Sequence, residues 1–460
     1  MAHLAILGAG PAGYVAAIRA RQLGADVTLI EKDETLGGTC LNRGCIPSKA
    51  LLRTAEVARL AAETAEYGVL AEFKGVDWPA AMSRKNKVVA QLVKGIEYLM
   101  KQNGVRVVRG KGRLVEPLVI EVETDGQPET VKADKVVLCP GSVSARLPLP
   151  GFQVPTVLTS DEMLEIEKVP ESLVIIGGGV IGAEFADIFS AVGAKVSILE
   201  MLPRIIPLED EEMSAELART FRRRKIDVFV NSRVSGVEER GGKRVVRFTQ
   251  DEKEKEVEAE VVLSAVGRTP NTEGIGLAGV GLEMDRRAIK VNARMETNLP
   301  GVYACGDAIG GYLLAHVAFA EGKVAVANAV GQTKEMDYRA IPSAVYTHPE
   351  VGSVGLSEKE ATARGLEIKI GRFHYRAASK AVAEGTRDGM AKIVVDARSG
   401  KIVGAHIIGP HATDVVHEMV LAVQTGASAE EVGGMVHAHP SLSEPLMEAT
   451  EDALGVAIHK

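Results

Sequence analysis

Three observations predict an α/β chain of about three domains. A 28-residue segment near the start recurs without gaps in the middle of the chain, glycine accounts for 48 of 460 residues, and residues 342–460 change character. The two copies are LAILGAGPAGYVAAIRARQLGADVTLIE at 4–31 and LVIIGGGVIGAEFADIFSAVGAKVSILE at 173–200. Ten of the 28 positions are identical, including the three glycines of the turn, a later Gly-Ala pair and the closing glutamate. Each copy reads as apolar strand, glycine turn, helix and second apolar strand.

After the first copy, helical patterns run over about 50–66 and 82–103, and 105–134 is rich in strand formers. An apolar strand then returns as KVVLCPGS at 135–142. The segment 143–172 carries Pro148, Pro150, Pro155 and Pro170 and reads as the crossing into a second domain. The second copy has its own excursion and returning strand, EVVLSAVGR at 260–268. A third glycine-ended strand, PGVYACGDA, ends near Asp307 and leads into a helical pattern over 315–330. Beyond it, AKIVVDARSGKIVGAHIIG reads as a hairpin about Arg398-Ser399-Gly400, and helical segments flank GGMVHAHPSLSEPLMEATEDAL. The expected division is 1–142, 143–268, a central segment 269–341 returning to the first domain, and 342–460.

Composition excludes several classes. Net charge is −7 with only 4% aromatics, and no basic stretch is interleaved with aromatics, so a nucleic-acid surface is not expected. No apolar run reaches the length of a membrane span. Four cysteines do not make a secreted disulfide framework. MAHLAILGAGPAG enters a strand and its turn at once, without a charged leader, and the expectation is a cytoplasmic protein.

Gly8, Gly10 and Gly13 form G-x-G-x-x-G between strand and helix. Such glycines allow a sharp turn, let a pyrophosphate approach the backbone and let the helix pack closely. Glu31 ends the next strand, where a carboxylate accepts ribose hydroxyls. The second copy repeats this with Gly177, Gly179, Gly182 and Glu200. A charged Glu200 suits a free 2′-hydroxyl and repels a 2′-phosphate, which favours NAD over NADP. An ion pair from Glu200 to Arg204 is the alternative use of that charge.

Between the copies lies GGTCLNRGCIPSK, with Cys40 and Cys45 five residues apart and Lys49 at helical spacing after Cys45. A disulfide closing so short a loop is a poor structural staple. Two thiols beside a cofactor can instead carry two electrons by opening and closing one S–S bond. Zinc would need two further ligands that nothing singles out. Nicotinamide moves hydride and thiols do not, so a flavin between them is implied: one site for FAD and one for NAD. Cys139 and Cys305 lie in apolar strands and are expected to be buried and inert.

Thiol exchange also needs a base. His439 with Glu444 fits that need, as a histidine oriented by a carboxylate, though Ser441-Leu442-Ser443-Glu444 also has the form of a helix capping box. His437 competes with His439.

These motifs, with AVGRTPN, ACGD and Glu184 in GGGVIGAE, closely resemble the pyridine nucleotide–disulfide oxidoreductases over essentially the whole chain. The resemblance implies two Rossmann-like dinucleotide-binding domains plus a C-terminal α+β dimerisation domain, FAD in the first site and NAD in the second. Cys45 is then the thiol against the flavin and Cys40 the outer thiol. Lys49 approaches the flavin and pairs with Glu184. Asp307 and Ala315 lie by the flavin, with Gly112 near the adenosine end, and Val234, Ala265 and Gly267 line the NAD side. His439 becomes the base, acting across a homodimer. The implied activity is NAD-linked oxidation of dihydrolipoamide. The implied partners are the lipoyl domain and subunit-binding domain of a dihydrolipoyl acyltransferase. Cys305 and Ser441 depart from the commoner aliphatic residue and threonine.

Overall fold

The computed structural model describes residues 1–152 and 157–460, and Pro155 lies outside them. The recurring segments become two parallel five-stranded sheets of matching order. In the first, His3–Leu7 lies between Asp26–Glu31 and Lys135–Leu138, with Arg106–Arg109 and Val302–Ala304 at the edges. In the second, Ser172–Ile176 lies between Lys195–Leu199 and Val261–Ser264, with Asp227–Phe229 and Val157–Leu158 at the edges. The central strands are buried apolar runs, as parallel strands covered on both faces require. Each unit also carries a three-stranded antiparallel meander, over residues 111–132 in the first and 232–259 in the second.

The repeat therefore extends beyond the 28 aligned residues to the topology of both units. The first unit takes its edge strand, 302–304, from beyond the second unit, whereas the second takes its own, 157–158, from the crossing segment just before it. The crossing segment is more structured than its prolines suggest. Ser142–Ser144 pairs antiparallel with Arg268–Pro270, and a four-residue helix, Ser160–Met163, is closed by a capping box between Thr159 and Glu162.

Helix bounds shift from expectation where caps act. The second excursion helix runs Trp78–Gln102, beginning before residue 82 because Asp77 accepts the Ala80 N–H at 3.0 Å. The first runs Cys45–Ala62 and therefore begins at the second thiol of the pair. A short helix, Gly38–Arg43, carries Cys40 and was not expected from the sequence. The helical pattern at 315–330 becomes Ala315–Ala329, packed on the first fingerprint helix, Pro11–Gln22.

The C-terminal region forms a five-stranded antiparallel sheet, with Ala412–Thr425 and Glu444–Leu454 packed against it. The hairpin Met390–Asp396 and Ile402–Gly409 turns at 397–401 and is buried along almost its whole length. The helix Glu211–Arg223 of the second unit also packs onto it. At that junction Lys392, 2% exposed, meets Asp210 at 3.0 Å, Glu212 at 2.6 Å and Glu358 at 2.8 Å. No helix among the described residues is long and apolar enough to cross a membrane.

Candidate active site

The two parallel units open onto one cleft of about 1810 Å³. That exceeds the roughly 300–1,000 Å³ of a single small-ligand site and suits two dinucleotides. Both fingerprint helices begin in it without a side-chain cap, at Gly10 and Gly179, so their first N–H groups are available to a pyrophosphate. Nothing lies within 4 Å of where a Cβ on Gly179 would stand. Gly8 and Gly177 also line the cleft. Gly13 and Gly182 do not reach it: a Cβ on Gly13 would stand 1.8 Å from the Gly8 carbonyl oxygen, and one on Gly182 2.0 Å from that of Gly177. Their role is packing of helix against turn.

Glu31 and Glu200 adopt the same pose. Glu31 accepts the N–H of Ala9 at 2.7 Å and of Asp33 at 3.0 Å. Glu200 accepts the N–H of Gly178 at 2.6 Å and of Leu202 at 2.8 Å. Arg204 pairs with Glu211 at 2.7 Å instead, so the Glu200–Arg204 alternative fails. The cleft wall also includes Gly112, Asp307 and Ala315 in the first unit. Val234, Ala265 and Gly267 line it in the second. These donors and carboxylates fit FAD and NAD.

The dithiol sits between the two halves. Gly37 and Gly38 both have positive φ, 101° and 57°, and a Cβ on Gly38 would stand 2.6 Å from the Gly10 Cα. This turn lays the short Cys40 helix against the fingerprint loop. Cys40 and Cys45 are free thiols lining the cleft. The Cys45 thiol is lowered to about 7, first because Cys40 donates to it, with burial opposing and the Lys49 ammonium adding. Cys45 also begins an 18-residue helix, a position that favours a thiolate. Cys40 is pushed up, first as the donor to Cys45 and then by burial.

Lys49 donates to both Glu184 oxygens, at 2.9 and 2.8 Å, and its ammonium lies 4.4 Å from the Tyr346 ring centroid. Burial disfavours the Lys49 charge, but Glu184 outweighs it and the pKa is raised. The Tyr346 N–H donates to Glu184 at 3.1 Å, which brings the C-terminal region into the site. Sequence reasoning missed Tyr346, whose only signal is an aromatic in an aromatic-poor chain. It also missed a latch on Asp307, whose carboxylate accepts the Ser142 hydroxyl at 2.5 Å while Arg268 donates to Ser142 at 2.7 Å. Arg268 lies within the quoted AVGRTPN, but no spacing marks it.

His439 and Glu444 form their own pair, Nδ1 to Oε1 at 2.8 Å. The other Glu444 oxygen accepts the Ser441 N–H at 2.7 Å. No capping box forms: the helix begins at Glu444 itself, and the Ser441 hydroxyl has no partner. Burial raises the Glu444 carboxyl, but the His439 and Ser441 hydrogen bonds bring it below its ordinary value. Engagement of Nδ1 as donor leaves the exposed His439 ring with Nε2 as its acceptor. His437 has both ring nitrogens occupied, by the Met435 carbonyl at 2.9 Å and Glu418 at 3.0 Å. His439 and Glu444 do not line the cleft of their own chain.

The family model for pyridine nucleotide-disulphide oxidoreductases matches residues 2–322, and that for their dimerisation domain matches residues 341–450. The chain belongs to the pyridine nucleotide-disulphide oxidoreductases. Its family membership makes it a flavoprotein enzyme using FAD and NAD, and residues 341–450 its dimerisation domain. Among curated members of the family, it is 38% identical to dihydrolipoyl dehydrogenase of Bacillus subtilis, over 99% of both chains. It is 41% identical to that of Chlamydia pneumoniae, over 99% of this chain and 97% of the relative. Among solved structures of similar fold, LpdA from Mycobacterium tuberculosis superposes with a TM-score of 0.91 at 27% identity, covering 98% of this chain and 99% of that one. The HOCl-induced flavoprotein disulfide reductase RclA from Escherichia coli gives 0.87 at 25% identity with the same coverage.

Proposed function

We propose that this chain oxidises protein-bound dihydrolipoamide to lipoamide with reduction of NAD, as the dihydrolipoamide dehydrogenase of a 2-oxo acid dehydrogenase or glycine-cleavage complex. The observation that carries this reading is the Cys40–Cys45–Lys49–Glu184 cluster set between two nucleotide half-sites, the second closed by Glu200. The relatives' names point to the same substrate. The lipoyl domain and subunit-binding domain of a dihydrolipoyl acyltransferase are the partners of this reading, and the cytoplasm its compartment. Residues 1–142 with 269–341 make the FAD domain, 143–268 the NAD domain and 342–460 the interface domain.

His439 takes the proton from a substrate thiol through Nε2, while Glu444 holds Nδ1–H and balances the cation that forms. The thiolate attacks Cys40 of the oxidised pair, and the S–S bond breaks with its electrons on Cys45. The second substrate thiol then attacks the substrate sulfur of the mixed disulfide, releasing Cys40 as thiol and lipoamide as product. Lys49 steadies the Cys45 thiolate, and Glu184 holds Lys49 in place. FAD, when bound, supplies the ring that takes the electron pair from the thiols and delivers hydride to NAD. Glu200 holds the ribose hydroxyls of NAD and rejects a 2′-phosphate.

Steady-state rates decide the substrate. Dihydrolipoamide with NAD is expected to turn over far faster than glutathione disulfide with NADPH, and the reverse order refutes this reading.

A further inference from the structure

The flavin-side sheet holds a second pair of thiols that the proposed reaction does not use. Cys139 follows the strand Lys135–Leu138, and Cys305 follows Val302–Ala304. These strands pair in parallel, with Leu138 opposite Ala304, and the Cys305 N–H donates to the Leu138 carbonyl at 3.1 Å. The two cysteines therefore continue one register on adjacent strands. Their sulfurs lie 3.4 Å apart, both residues are buried at 5% and 0% exposure, and both line the cleft. Neighbouring strands lie about 4.8 Å apart, within the roughly 4.4–6.8 Å that a disulfide spans between Cα atoms.

We propose that Cys139 and Cys305 form a second redox site, distinct from Cys40 and Cys45, which a peroxide closes to a disulfide between the two strands. Cys139, the less buried of the two, attacks hydrogen peroxide, breaking its O–O bond to give a sulfenic acid and one water. The Cys305 sulfur then displaces the hydroxyl, forming the S–S bond and releasing a second water. Two thiols are oxidised and one peroxide is reduced. The Cys305 thiol otherwise stays protonated, because the Cys139 hydrogen bond, burial and Glu321 all push it up. The cross-link ties the strand behind the Gly8 turn to the strand that delivers Asp307. A Cβ on Gly8 would stand 2.2 Å from the Cys139 carbonyl oxygen, so this floor is already tight. Closing it covalently holds the flavin cradle together.

Treat the FAD-loaded enzyme with hydrogen peroxide, alkylate it under denaturing conditions and map its peptides without reduction. The expected product is a Cys139–Cys305 linked peptide lacking two hydrogens, reversed by dithiothreitol and absent from Cys305→Val. The urea midpoint for FAD release, read by flavin fluorescence, should rise on oxidation of the wild type only. Full alkylation of both cysteines after Cys40 and Cys45 have closed overturns the proposal, as does oxidation that stops at an unlinked sulfinic acid. The wild-type peptide map decides the matter even if the variant does not fold.

Discussion

Lys49, one helical turn beyond Cys45, grips both oxygens of Glu184 at 2.9 and 2.8 Å across 135 residues of sequence. The pair joins the thiol helix to the second fingerprint helix, and its two charges act on Cys45 with opposite sign.

Lys49→Met should therefore raise the pH at which the Cys45 thiolate appears, and Glu184→Gln should lower it. Titration of long-wavelength absorbance in the two-electron-reduced protein reads both shifts. Equal shifts of one sign would contradict this electrostatic arrangement.

Cys40→Ser and Cys45→Ser should each abolish dihydrolipoamide oxidation yet differ in colour. A Cys45 thiolate left alone in Cys40→Ser should still give a charge-transfer band against the oxidised flavin. Survival of the band only in Cys45→Ser would reverse the two roles.

Replacing Glu200 by glutamine removes a carboxylate that holds two backbone N–H groups and, in the proposed function, the ribose hydroxyls. The loss of such charged hydrogen bonds, about 1–3 kcal/mol, corresponds to roughly a 5- to 150-fold fall in kcat/KM for NAD, with weaker discrimination against NADP. An unchanged NAD/NADP ratio would place specificity elsewhere.

Because His439 stands outside the cleft of its own chain, the dithiol should be served by the partner subunit. Cys45→Ser and His439→Gln chains, each inactive alone, should recover roughly a quarter of wild-type activity when co-expressed at equal levels. Purified heterodimers no more active than either parent would place His439 in cis.

The junction at Lys392 predicts an acid-sensitive contact. Arg372 holds the Glu212 carboxyl down to about 2, against burial and with help from Lys392. A depressed carboxylate contributes stability above its unfolded pKa, near 4.3, and loses it as pH falls towards 2. Arg372→Met should lower the denaturant midpoint at pH 7, and its difference from wild type should shrink below about pH 4. A difference constant across that window would show that Glu212 is not involved.

Local signals made the fingerprint turns, the acids at 31 and 200 and the Cys45–Lys49 spacing legible in the sequence. The helix Gly38–Arg43 was hidden, since six residues opened by two left-handed glycines show no apolar period. The Cys139–Cys305 contact spans 166 residues and the Ser142–Asp307 bond 165, and no periodicity reports which apolar strand becomes whose neighbour. By residue type alone His437 and His439 are equivalent and only the family motif singles out His439; the structure adds that both ring nitrogens of His437 are occupied. The capping-box pattern at Ser441 offered a rival reading because the one Glu444 carboxylate serves both the Ser441 N–H and the imidazole.

The one borrowed edge strand sets an order of assembly. On the ribosome, residues 157–264 emerge with every strand of the second parallel sheet in hand. The first sheet must wait for Val302–Ala304, and its cradle for Asp307, although its opening strand is made before any strand of the second sheet. The N-terminal unit is thus the later of the two to finish, and flavin capture waits until the chain has been made past Asp307.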